Sequence, residues 1–184
     1  MTEEPTRSSR GKILEVAEAL FARRGFAGVG LREVADTAGL SKSALFHHFR
    51  SKTQLYFEVL EGVLGRIRER LEPVLAGGGP PLEKLDRWVG TLVDSLAEHP
   101  TSARLLLRGL VEDDGFEEPP AEAEDTDRTL WAILSGIQQL LAEGVERGAF
   151  RAASVPHTVQ TLIGATVYHF ASGELGERLL GRPL

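Results

Sequence analysis

Apolar residues recur every three or four positions along most of the chain, the period of a helix with one buried face. No stretch alternates with the two-residue period of a strand between turn residues, so the chain is expected to be all-α. Ile13, Leu14, Ala17, Leu20 and Phe21 share one face of a first helix from about Ser9 to Arg24, ended by Gly25. Two short helices then meet at Ala38-Gly39-Leu40. Glycine takes a positive φ at little steric cost, which suits the end of a helix. Ser41 offers a side-chain oxygen to cap the next one. Val34, Ala35, Ala38, Leu40, Leu45 and Phe49 supply an apolar seam that holds the pair at a fixed angle. Such a pair can present its second helix to the DNA major groove.

Ser51 opens a long helix, and Ser51 with Gln54 fits the S-x-x-Q capping box. Leu55, Val59, Leu60, Val63, Leu64, Ile67 and Leu71 form a stripe up to Glu72-Pro73. That stripe is longer than a small head can cover, so this helix is expected to connect head and body. Gly77-Gly78-Gly79-Pro80-Pro81 breaks it. Leu82, Leu85, Val89, Leu92 and Leu96 mark the next helix, ended by His99-Pro100, and Thr101 is expected to cap a shorter one reaching about Val111. Residues 112–125 hold eight acids and no base, the composition of an exposed loop. A helix from about Thr126 to Arg147 carries Leu130, Ile133, Leu134, Ile137, Leu141 and Val145. Ser154 and Pro156 open another, with Val159, Leu162, Ile163, Val167 and Phe170. Residues 174–181 are expected to form a last short helix, and residues 1–8 a mobile arm.

Charge divides the chain. The net charge is −6, yet residues 1–56 carry 9 Lys and Arg against 6 Asp and Glu, whereas the remainder carries 12 against 21. A basic head on an acidic body points to an anionic partner at the head. There is no cysteine, which removes disulfides, thiolate metal sites and a thiol nucleophile and fits a cytoplasmic location. The polar N-terminus reads as no signal peptide, and no apolar run approaches the roughly 18 residues of a membrane span. Enzyme motifs are lacking: Gly28-Val29-Gly30 has neither the strand nor the third glycine of a dinucleotide site. Residues 112–125 lack the spaced ligands of an EF-hand.

Arg32-Glu33-Val34-Ala35, Ala38-Gly39-Leu40-Ser41-Lys42, Leu45-Phe46-His47-His48-Phe49 and Ser51-Lys52 before Leu55 keep a fixed spacing over roughly residues 10 to 60. This segment resembles the helix-turn-helix of TetR-family transcriptional regulators. The resemblance implies a three-helix DNA-binding domain, residues 1–50, and a helical-bundle ligand-binding and dimerisation domain, residues 51–184, about nine helices in all. It implies a homodimer that acts as a repressor on a near-palindromic operator in double-stranded DNA and is released by a small molecule. It implies no enzyme activity, cofactor or metal. Two positions depart from the family pattern: Phe46 stands where a phosphate-contacting tyrosine is usual, and Gly30 where a Ser or Thr cap is usual.

With Leu45 and Phe49 packed inward, the expected DNA-facing residues are Arg32, Ser41, Lys42, Ser43, Ala44, Phe46, His47, His48 and Lys52. Small Ser43 and Ala44 permit close approach to base edges, and Lys42 and Lys52 suit phosphates. His47 and His48 point about 100° apart on a helix, so they cannot share a metal ion within one chain. One short helix reads few base pairs, so two heads on a two-fold axis are expected. Val159, Ile163, Gly164 and Val167 are the expected dimer contacts, on a helix apolar on more than one face. In the body, Trp88, Leu92, Leu106, Leu110, Trp131, Leu134 and Phe170 are the expected pocket lining, with His99, Arg104 and His169 to orient a polar group.

Overall fold

A computed structural model describes residues 8–111, 120–151 and 154–173, together with Arg178; the side chains of Leu110 and Val111 lie outside that description. The described residues form eight helices: α1 Ser9–Arg24, α2 Leu31–Thr37, α3 Lys42–His48, α4 Lys52–Ala76, α5 Pro81–Glu98, α6 Pro100–Val111, α7 Ala123–Glu146 and α8 Val155–Ser172. Apart from Ser8 and Arg178, the expected arm over 1–8 and the expected helix over 174–181 lie outside the described residues, as does most of the acidic loop.

The helix ends follow local chemistry. Ser8 caps α1 by accepting from Gly11 N at 3.2 Å. Gly39, at φ +69, ends the turn between α2 and α3 in the left-handed region. Ser41 caps α3, accepting from Ala44 N at 3.2 Å, whereas Gly30 gives α2 no side-chain cap. Ser51 caps α4, accepting from Gln54 N at 2.9 Å. Gln54 Oε1 reaches back to Arg50 N at 2.8 Å, one residue beyond the usual capping-box partner. Ser51→Ala is expected to cost about 1 kcal/mol, measured as a lower urea midpoint with an unchanged slope.

Several boundaries differ from the periodic reading. α4 ends where the Gly77 break was expected; it runs through Pro73 to Ala76, because a proline this close to the end removes one intrahelical bond while its own carbonyl still accepts from Gly77 N at 3.0 Å. α6 begins at Pro100, so Thr101 lies inside its first turn and caps nothing; His99 O instead accepts from Ser102 N at 2.9 Å. α7 begins at Ala123, so the end of the acidic run is helical. Glu124 and Asp125 sit in its first turn, where the helix dipole favours negative charge. Leu82, expected within the α5 stripe, is 63% exposed.

One continuous core joins head to body. In the head, α1 to α3 close over Ile13, Phe21, Val34, Ala35, Leu45 and Phe49, all at 0% exposure. The first two turns of α4 complete that core: Tyr56 meets Phe21 edge-on with ring centroids 5.0 Å apart. Farther along, α4 packs against α5 and α7, so its 25 residues, about 37 Å at the usual helical rise, run from the head core into the body core. α6 packs on both α1 and α8.

Candidate functional site

The surface of α3 is displayed by what is buried beneath it. Leu45 and Phe49 point into the head core, which leaves Lys42, Ser43, Phe46 and His47 exposed, with Ala44 and His48 half-buried beside them. Leu40 N donates to Ala35 O at 2.9 Å, closing the turn and fixing the angle between α2 and α3. The Lys42 ammonium lies 5.5 Å from the centre of the Phe46 ring, so one exposed cation rests on the exposed aromatic four residues on. His47 and His48 meet edge to face at 5.4 Å. Arg32 is exposed at the start of α2, with Nε 3.8 Å from Asp36.

Two expected contacts have other partners. Ser41 Oγ accepts the capping bond and lies 2.9 Å from Ser43 Oγ, so it holds α3 in place. Lys52 Nζ donates to Phe26 O at 3.0 Å and lies 4.2 Å from the Phe26 ring centre. It anchors the start of α4 to the α1–α2 loop, and a phosphate contact would use its remaining N–H groups.

The periodic reading missed the side chains that tie these pieces together. Arg10 pairs with Glu58 and lies 5.4 Å from the Phe49 ring centre, linking α1, the end of α3 and α4. Arg108 of α6 donates from Nε to Ala22 O at 3.0 Å and from Nη2 to Arg23 O at 3.3 Å, meeting the free carbonyls at the end of α1. Ser102 of α6 donates to Glu18 Oε1 at 2.7 Å, and Arg66 of α4 donates to Glu18 Oε2 at 2.9 Å. α6 therefore grips the head at two points. Farther along α4, Arg70 and Glu98 of α5 form a two-pronged pair at 2.6 and 3.1 Å. The Arg70 hydrogen bond holds the Glu98 carboxyl below the usual carboxylate range, and Glu98 in turn raises Arg70. Both are solvent-exposed, so the pair orients α5 on α4 more than it stabilises it.

The other face of α6 borders a partly open cavity of about 150 Å³ lined by residues of α4 to α8. Of the expected pocket residues, Trp88, Leu92 and Leu106 line it. Leu134 and Phe170 pack at the margin of the core without lining it. Trp131 is 64% exposed, because it lies on the side of α7 opposite buried Ile133 and Ile137. Arg104 and His169 are exposed, and His99 borders a separate open groove of about 600 Å³ between α1, α4 and the α5–α6 junction. Leu110 lies outside the described side chains. The sequence reading missed the α4 wall, Phe57, Leu60, Leu64 and Ile67, together with Leu130 and Ile133 of α7. Most of those α4 residues belong to the stripe read only as a connection. The cavity therefore touches the helix that begins at the head.

The expected dimer contacts need correction. Val159 and Val167 are 4% and 3% exposed within this one chain, and Ile163, between them on the same face, borders the cavity. Residues four apart share a helix face, so this stripe is committed to the chain's own core. Gly164 is exposed, on the outward face with Gln160, Thr161, Ala165 and Tyr168.

Comparison with known proteins gives this arrangement its family. Residues 13–59 match the model for bacterial regulatory proteins of the tetR family, and residues 81–184 match the tetracyclin repressor-like C-terminal domain. The chain belongs to the TetR family. That family consists of transcriptional regulators, not enzymes. The transcriptional repressor KstR2 of Mycobacterium tuberculosis (strain H37Rv) is 35% identical over 92 residues, 50% of this chain and 46% of that protein. The chain thus spans about half the length of that relative. KstR2 of Rhodococcus jostii is 30% identical over 160 residues, covering 82% of this chain and 75% of its own length. Among solved structures, the TetR-family regulator PfmR of Thermus thermophilus superposes with a TM-score of 0.76 at 25% identity, over 90% of this chain and 86% of that one. FadR of Bacillus subtilis, solved with stearoyl-CoA, superposes at 0.70 with 18% identity, over 88% and 84%, a likeness of fold alone. Within the described residues, no helix is long and apolar enough to cross a membrane.

Proposed function

We propose that this chain is a homodimeric, cytoplasmic transcriptional repressor that binds a near-palindromic operator through α3 and is released by a small molecule bound in the body. Residues 1–50 read DNA, and residues 51–184 sense and dimerise, with the first turns of α4 packed into the head. The observation that carries the reading is the exposed face of α3. Lys42, Ser43, Phe46 and His47 stand on one surface over a rigid apolar base, with Ala44 low enough for bases to approach. Ser43 hydrogen-bonds base edges, Lys42 meets phosphate, and Phe46 offers a ring to a thymine methyl. The missing tyrosine hydroxyl removes about 1 kcal/mol of phosphate contact per head.

Two heads are required because one short helix reads few base pairs. A two-fold dimer places recognition helices about 34–36 Å apart. The outward faces of α7 and α8, with Trp131 64% and Tyr168 56% exposed and Gly164 and Ala165 between turns, support a partner helix at close range. Release follows from the position of α4 and α6. Both border the cavity, α4 carries the head core on its first turns, and α6 holds the end of α1 through Arg108. A ligand that favours one placement of these helices changes the spacing of the heads, provided it binds the two states unequally.

Selection of bound sequences from random duplex DNA by the purified full-length protein tests this reading. A near-palindrome is expected, with affinity that falls steeply with salt while sequence preference persists. Recovery of no preferred sequence, or of a single half-site, would overturn operator reading by a dimer.

A further inference from the structure

Charge near α3 is one-sided. Between Asp36 and Glu58 the chain holds no acid, yet it holds Lys42, Arg50 and Lys52. That run covers α3, the loop after it and the first turns of α4. Nearby carboxylates are engaged with other cations: Glu33 with Arg24, Asp36 with Arg32, and Glu58 with Arg10. Gln54 Nε2 also donates to Glu58 Oε1, at 2.9 Å. Lys52 is turned to Phe26 O. Arg50 is exposed, and no side chain or carbonyl among the described residues bonds to its guanidinium.

The backbone aims Arg50 outward. Phe49 is extended, at φ −134 and ψ 118, and its ring enters the head core at 0% exposure. Successive side chains on extended backbone point to opposite sides. Arg50 therefore leaves on the side away from that core, the side on which α3 is displayed. Arg50 N donates to Gln54 Oε1 at 2.8 Å, which fixes the base of the side chain while its charged end stays in solvent. A free guanidinium is always charged, presents a rigid fork of donors and is weakly hydrated, the chemistry of a phosphate contact.

We propose that Arg50 is a DNA-backbone contact, one in each head, holding a phosphate beside the groove that α3 enters. This rests on the reading of α3 as the DNA-facing helix and adds a residue that positions it. Backbone contacts set register and orientation without reading bases, so Arg50 supplies affinity and not sequence preference.

The test is fluorescence anisotropy of the full-length protein between about 50 and 200 mM salt, on a selected operator and on a random duplex of the same length. Each phosphate neutralised adds about 0.9 to the slope of log affinity against log salt. Arg50→Gln is therefore expected to reduce the slope by about two on the operator, one for each head. At about 0.15 M salt that corresponds to about fivefold per head and about thirtyfold for two. A similar loss of slope is expected on the random duplex. Arg50→Lys, which keeps the charge, is expected to keep the slope. Arg68→Gln, which removes the same charge from the body stretch of α4, is expected to leave it unchanged. The sequences that Arg50→Gln selects are expected to match those of the native protein, and its urea midpoint to be native.

A full native slope for Arg50→Gln on the operator would overturn the contact and leave operator reading by α3 intact. An equal loss for Arg68→Gln would also overturn it, because net charge rather than position would then set the slope. A changed selected sequence would overturn it by placing Arg50 on a base edge. If the native protein selects no sequence, operator reading fails, and the slope on the random duplex still decides the contact. Binding to neither duplex would overturn both.

Discussion

Ser43→Glu is expected to lower operator affinity about a thousandfold while leaving thermal stability almost unchanged. Ser43 is exposed near the start of α3, and its hydroxyl lies 2.9 Å from Ser41 Oγ. A carboxylate there suits the helix dipole, so the fold tolerates it. Facing DNA, the same carboxylate meets phosphate charge, and like charges brought together cost several kcal/mol. Even about 2 kcal/mol per head doubles in a two-headed complex, and about 4 kcal/mol corresponds to roughly a thousandfold. Fluorescence anisotropy with a selected operator at fixed salt measures the loss, and a melting curve verifies the fold. Ser43→Ala, which removes a hydrogen bond without adding charge, is expected to lose only about fivefold per head. If Ser43→Glu bound like the native protein, the DNA-facing surface would lie elsewhere than α3.

Phe21→Ala is expected to destabilise the protein by about 3–5 kcal/mol. Phe21 is 0% exposed and sits between Phe26, 6.4 Å away by ring centroid, and Tyr56, 5.0 Å away and edge-on. Truncation leaves a void at the point where α1, the α1–α2 loop and α4 meet, and those backbones cannot all move in to fill it. Because the same contacts hold the head onto α4, operator binding is expected to fall with stability. Urea denaturation gives the first effect and anisotropy at a temperature below the new midpoint gives the second. Phe21→Leu, which retains most of the volume, is expected to recover more than half of the loss. A Phe21→Ala protein of native stability would mean that the aromatic cluster does not hold the head to α4.

The helical architecture was legible in the chain, and the reasons are local. The bounds of α1, the Ala38-Gly39-Leu40 turn, the Ser41 and Ser51 caps and the break at Gly77 each depend on residues within about one helical turn. Where the periodic reading failed, a local signal was outweighed by its surroundings. Thr101 caps nothing, because α6 already begins at Pro100. The acidic residues Glu124 and Asp125 read as loop by charge, yet charge of that sign is welcome in the first turn of α7. Within the candidate DNA surface, buried Leu45 and Phe49 were readable from their spacing, and exposed Lys42, Ser43, Phe46 and His47 follow from them.

By itself, the sequence determined that this is an all-α protein, where its head begins its two-helix reader, which residues of α3 turn inward and which family it belongs to. Tertiary structure alone decided the rest. α8 is apolar on more than one side, so periodicity could not choose which side its own core would take; packing on α6 and α7 buried Val159 and Val167 and left Gly164 outside. Trp88 and Trp131 both sit in amphipathic helices, yet one borders the cavity at 1% exposure and the other lies outside at 64%. Arg108 finds Ala22 across 86 residues of chain, and Lys52 finds Phe26 across 26. Caps and turns are encoded by neighbours in sequence. Cavities, clamps and partner faces arise where distant helices meet, and only the packed chain specifies which distant helices those are.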